Sequence, residues 1–248
     1  MSIINSFDIT SEPILCPSHL SKPIEGFPET LIVTLSRYML NTFLQHYTCR
    51  STGSMLDGRT MYETTYENKP IAFFRTSMGA PPTVALVEEA IAYGARKVLI
   101  FGSCGMLAGG LESIVVPTHA YRDEGTSYHY APADVGDFIE VKTAERLSKL
   151  LEELGIPHSK GKTWSTDAVF RETLRNMELR RAAGCIVVEM ECSGVMAMAD
   201  FRGIEAYQFL YTTDNLDTKG WERRTLGMMP TDTKTKYAKL ALDLAVRL

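Results

Sequence analysis

The chain has no CxxC pair, and its five cysteines, Cys16, Cys49, Cys104, Cys185 and Cys192, are odd in number and dispersed. That pattern excludes a disulfide framework and suits reduced thiols in a cytoplasmic setting. The five histidines fall nowhere near ligand spacing, so no protein metal site is expected. No apolar run approaches the ~20 residues of a membrane span. The opening stretch, MSIINSFDITSEPILC, carries acids and no basic n-region, so no secretory signal is expected. Net charge is only −4 and like charges do not cluster, which excludes the basic stripe that nucleic-acid binding needs. What is present is an ordinary apolar fraction of 45% over 248 residues, enough for one well-filled α/β domain.

Prolines at 13, 17, 23 and 28 predict an irregular N-terminal segment over residues 1–28. TLIVTL then predicts a buried strand at 30–35, followed by a helix over 36–46. TMYETTYE and IAFFRTS predict a hairpin around Asn68 and Lys69. PPTVALVEEAIAYGA predicts a proline-initiated helix stopped by Gly94, and KVLIFG predicts a core strand over 97–102. SCGMLAGG is expected as a glycine-rich turn leading into SIVVPT. A helix over 141–154, a strand over 158–165, a short helix after Asp167 and a strand over 185–189 follow. A small-residue helix, the strand EAYQFLYTT and a helix from about Asp232 complete an alternation that argues for an α/β sandwich around a mixed sheet.

The most informative stretch is VVEMEC. Desolvating a carboxylate at the end of a buried strand costs several kcal/mol unless it is paired, and polar groups at the carboxyl ends of α/β strands usually face a ligand crevice. Glu189 and Glu191 are two residues apart, so in extended backbone they point to one side, with Met190 opposite. Two acceptors in one crevice suit adjacent sugar hydroxyls; acids favoured at a helix N-terminus are the alternative. FGSCG, 101–105, lets backbone amides and the Ser103 hydroxyl approach an anion or a sugar, or is a plain tight turn. It is neither GxGxxG nor a P-loop. YRDEGTSYHYAP suits a loop that stacks on a planar ring and closes a pocket, or an ordinary surface loop. Asp214, after an apolar strand, suits either a proton-bearing heterocycle or a helix cap.

In this order and spacing, SMGAPPTVALVEEAIAYGARKVLIFGSCGML, EGTSYHYAP, VVEMEC and TTD resemble the nucleoside phosphorylase superfamily from about Thr30 onward. The resemblance implies a single-domain α/β/α sandwich around a mixed, partly barrel-like central sheet. It implies a pentosyltransferase that takes a nucleoside and inorganic phosphate, with no cofactor, to free base and ribose 1-phosphate. Ribose would meet Glu191 and Met190, with Glu189 supporting and Ser103 bridging ribose and phosphate. His19 resembles a histidine lent to a neighbouring subunit's ribose, and Arg59 an arginine lent to its phosphate, within a homohexamer built from dimers. Asp214 would protonate N7 of a purine leaving group. The base would meet Gly105, Tyr128, Thr173 and Arg175.

The chain also departs from that pattern. A "GDPxR" phosphate turn is replaced by TLSRYML, leaving Arg37 as a nearby substitute, and an expected arginine is Ile100. Loss of these groups opens a nucleosidase alternative, with water as nucleophile, and a nucleoside-binding protein without turnover as a further one. EGTSYHYAP leans toward uridine; Asp214 leans toward purine, the slightly favoured reading.

Overall fold

The structure, a computed structural model, describes residues 2–217 and 220–248. Ten strands form its sheet: β1 (Thr30–Thr34), β2 (Cys49–Ser54), β3 (Thr60–Tyr66), β4 (Lys69–Arg75), β5 (Lys97–Met106), β6 (Ile114–Asp123), β7 (Phe138–Glu140), β8 (Ser159–Thr166), β9 (Cys185–Glu189) and β10 (Glu205–Asn215). The helices are α1 (Pro17–Leu20), α2 (Arg37–His46), α3 (Ala80–Tyr93), α4 (Ser127–Tyr130), α5 (Ala144–Glu153), α6 (Leu174–Ala182), α7 (Cys192–Arg202) and α8 (Thr231–Ala245).

The sheet is mixed and partly closed. Strands run in the order β10-β6-β8-β9-β5-β1-β4-β3-β2, and β10 also pairs with β5, so β5, β10, β6, β8 and β9 form a ring. The expected partly barrel-like α/β architecture is what the chain adopts. Closure rests on β5, which runs parallel to β1 and β10 from Lys97 and then turns its far end, Gly105 and Met106, onto β9. This corrects the expected turn: Ser103 to Met106 stay in strand conformation because β9 and β10 both offer them ladder partners. Leu99, Ile100 and Phe101 are wholly buried, and Phe101 stacks on Phe209 at 5.1 Å. Such two-sided burial explains the continuous apolar run.

Other elements follow local chemistry. Glu67 and Asn68 take positive φ (46° and 61°), the twist a two-residue hairpin needs. Ser36 caps α2 by accepting from the Met39 amide, and Gly94 ends α3 at φ 141°. Strands β2 and β7 were not legible in sequence, the first being polar and largely exposed, the second three residues long. The N-terminal segment is less irregular than expected, since Pro17 starts the short α1, which packs against α3.

α7 is buried through Cys192–Ala199 and crosses α3 closely enough that a Cβ on Gly194 would lie 2.7 Å from the Ala80 Cβ. Alanine at 194 would gain about 1 kcal/mol of helix propensity but overpack this crossing at about 1–3 kcal/mol. Gly194→Ala is therefore expected to lower the urea midpoint; a raised midpoint would show that the helices separate freely.

Candidate active site

The carboxyl ends of β1, β4, β5 and β9 converge on a cavity of about 340 Å³, lined among others by Arg37, Met78, Ser103, Glu189, Met190, Glu191, Thr213 and Lys234. Its chemistry is asymmetric. One wall carries the two carboxylates of VVEMEC; another carries the first turn of α2 with Ser36 and Arg37, and Lys234 sits 4.6 Å over the Tyr38 ring.

The two glutamates are divided in role. Glu189 accepts from the Thr163 hydroxyl (3.3 Å), the Ser165 hydroxyl, the Glu191 and Cys192 amides (both 2.8 Å) and the Gln208 amide (3.4 Å). It thus caps α7 and joins β8, β10 and the helix start. Glu191 accepts from the Gly79 amide at 2.6 Å, which ties it to the turn before α3, and from the Met190 amide at 3.3 Å. The backbone bends at Glu191 (φ −129°, ψ −34°), so the pair does not simply share one face of an extended segment. Burial, and then the charge of Glu189, push the Glu191 carboxyl up to about 8. Burial raises Glu189 as well, while its Ser165, Gln208 and backbone-amide donors act the other way by favouring the charged form.

Ser103 lies on β5 and faces the cavity, and Arg37 is exposed at its mouth. Arg59 does not line the cavity: it pairs with Asp57 and donates to the Arg75 carbonyl (2.9 Å) and the Ser77 hydroxyl. Arg75 lies close by, its guanidinium held below the usual range by burial and by the charges of Arg59 and Arg37. Ile100 is fully buried in the core and offers nothing to an anion. His19 lies on α1 outside the cavity lining, its Nδ1 accepting from the Cys16 amide at 3.3 Å.

Asp214 is not a helix cap. It sits inside β10 at a register shift, opposite Gly105, and accepts from the Thr213 hydroxyl (3.1 Å) and the Trp221 indole (2.8 Å). Gly105 is needed for close packing, since a Cβ there would meet Leu216 at 2.6 Å and the Asp214 carboxyl at 3.6 Å.

Neither Asp214 nor Gly105 is among the residues that line the cavity, and the remaining base-side expectations land elsewhere too. Thr173 caps α6 by accepting from the Asn176 amide, and Arg175 is exposed; neither lines the cavity. Tyr128 lies under the Arg122 guanidinium at 3.9 Å and also lies outside the lining. Its loop is a brace rather than a closing flap: Arg122, Glu124 and Ser127 are buried, and Ser193 on α7 donates to Glu124 at 3.0 Å. Sequence reasoning missed Lys234, Thr213, Met78 and Met229 in the lining, and it missed Glu172, whose carboxyl is raised to about 7 by burial and by Asp214. Nothing in local patterning distinguishes these residues from ordinary loop and helix positions. Among the described residues no group of His, Cys, Asp or Glu could hold a metal ion, and no helix is long and apolar enough to cross a membrane.

A carboxyl raised on folding binds more protons in the folded state, so Glu191 makes stability fall as pH rises from about 4.5 through about 8. Glu191→Gln cannot ionise. Its urea midpoint is expected to fall less than that of wild type between about pH 5 and about pH 9; parallel pH profiles would contradict the buried, protonated Glu191.

Residues 30–248 match the phosphorylase superfamily. A DeoD-type purine nucleoside phosphorylase of Bacillus cereus is 24% identical over 222 residues, covering 86% of this chain and 89% of the relative. One from Bacillus mycoides is similar to the same extent. The crystal structure of Toxoplasma gondii purine nucleoside phosphorylase, in complex with immucillin-H, superposes with a TM-score of 0.71 at 19% identity over 90% of each chain. The chain belongs to the phosphorylase superfamily and is an enzyme of that kind.

Proposed function

We propose that this protein is a nucleoside phosphorylase that prefers purine nucleosides. The observation that carries the reading is the pairing, across one cavity, of a buried carboxyl with no ion pair among the described residues, Glu191, with a hydroxyl and a cation, Ser103 and Arg37. Ribose hydroxyls exchange hydrogen bonds with Glu191 while Met190 packs on the sugar and Glu189 supports the wall. Phosphate binds between Ser103, Arg37 and the first amides of α2, with Lys234 nearby.

Bond cleavage develops positive charge on the sugar, as in other glycosidic cleavages. A phosphate oxygen attacks C1′, the C1′–N9 electron pair passes to the base, and Asp214 gives its proton to N7. No cofactor takes part; phosphate is the co-substrate. His19 and Arg59 stand outside their own chain's cavity, which fits their being lent to a neighbouring subunit of a homo-oligomer, a homohexamer built from dimers in this reading. Cytoplasmic nucleoside salvage is the corresponding setting.

Hydrolysis is the second reading, favoured by the buried Ile100 and the missing phosphate turn. Base release from inosine, adenosine and uridine, followed spectroscopically with and without phosphate, separates the two. Phosphate-dependent release from the purine nucleosides is expected; equal release without phosphate would make the protein a nucleosidase. Asp214→Asn is expected to slow purine cleavage by roughly 10²–10⁴-fold, the range of a general acid, and uridine cleavage much less. Uridine activity without purine activity would overturn the substrate preference.

A further inference from the structure

The chain after β10 doubles back on it. Asn215 and Glu222 exchange two backbone hydrogen bonds of 2.9 Å, and the Thr225 and Leu226 amides donate to the Thr213 carbonyl at 2.9 and 3.1 Å. This return holds Trp221 beside Asp214, where the indole Nε1 donates to Oδ2 at 2.8 Å. Burial does not force that bond. The Trp221 residue is 60% exposed, and water could satisfy its donor. The indole is instead directed at the one carboxylate set against Gly105, while the Thr213 hydroxyl donates to the other oxygen at 3.1 Å.

We infer that Trp221 is a positioning residue for the leaving-group acid, a role that rests on the phosphorylase reading above. The indole N–H holds Oδ2 while the Thr213 hydroxyl holds Oδ1, and together they fix the plane of the carboxyl. When Asp214 passes its proton to N7 it becomes a carboxylate, and the indole bond turns charge-assisted and stronger. The gain comes as the C1′–N9 bond breaks, not when substrate binds, so the effect belongs in kcat and not in KM.

The test compares inosine, whose base must be protonated at N7, with 7-methylguanosine, whose N7 is already alkylated and cationic. Trp221→Phe keeps the ring and removes the donor. The ratio of inosine to 7-methylguanosine kcat is expected to fall by roughly 10–100-fold, the effect of one hydrogen bond to a charged group, with the inosine KM little changed. Added to Asp214→Asn, the same substitution should produce no further loss on inosine. Equal losses on both nucleosides, or losses that add in the double variant, would overturn the inference. If the phenylalanine variant fails to fold, emission serves instead. Trp164 is 1% exposed, so a change at exposed tryptophan in Asp214→Asn reports Trp221, and an unchanged spectrum overturns the contact. A wild-type protein that releases no base from either nucleoside overturns the functional reading, and this inference with it.

Discussion

The site depends on one buried carboxylate. Glu189 gathers hydroxyl, amide and backbone donors from β8, β10 and the first turn of α7, and in doing so it fixes where α7 begins. An unpaired buried charge would be strongly destabilising; here the helix amides and neighbouring hydroxyls replace the water it has lost. With the start of α7 fixed, Met190 and Glu191 are held at the cavity wall, and the bend at Glu191 aims its carboxyl at the turn before α3. The division of labour follows from the donor count. The acid with many donors holds the helix start in place, and its neighbour, left with two amides, is raised to about 8 by burial and by the charge of Glu189 and is available to a ligand.

The barrel-like closure of the sheet serves the same end. β5 changes partners along its length, from β1 to β9, while β10 accompanies it throughout. That brings Ser103, Gly105 and Asp214 onto neighbouring strands, next to β9, which ends at Glu189. Gly105 and Gly194 mark two of the places where elements approach too closely for a side chain, one beneath Leu216 and one between α3 and α7. Close packing at both points leaves the polar groups little freedom of position.

Much of this was legible in sequence. VVEMEC marked the carboxylate wall because acids at the end of an apolar strand need a reason, and continuous apolar runs marked β1, β5 and β9. The individual roles were less legible. Spacing alone could not show that Glu189 would turn back to cap α7, because a cap and a ligand both call for a carboxylate at that place. Thr173 and Tyr128 fall outside the cavity lining, and a related ambiguity applies to them: a threonine before a helix and a tyrosine beside an arginine satisfy local chemistry wherever they fall. Lys234 reaches the cavity from α8, and Trp221 reaches Asp214 through the return of the chain after β10, long-range arrangements with no local signature.

The most direct test of the account is a crystal structure with a purine nucleoside analogue and phosphate bound. Ribose hydroxyls are expected on Glu191, phosphate beside Ser103 and Arg37, and the base edge at Asp214, with Glu189 still accepting from the Glu191 and Cys192 amides. Ribose hydroxyls bound to Glu189, with its hold on the start of α7 broken, would contradict the division of roles on which the account rests.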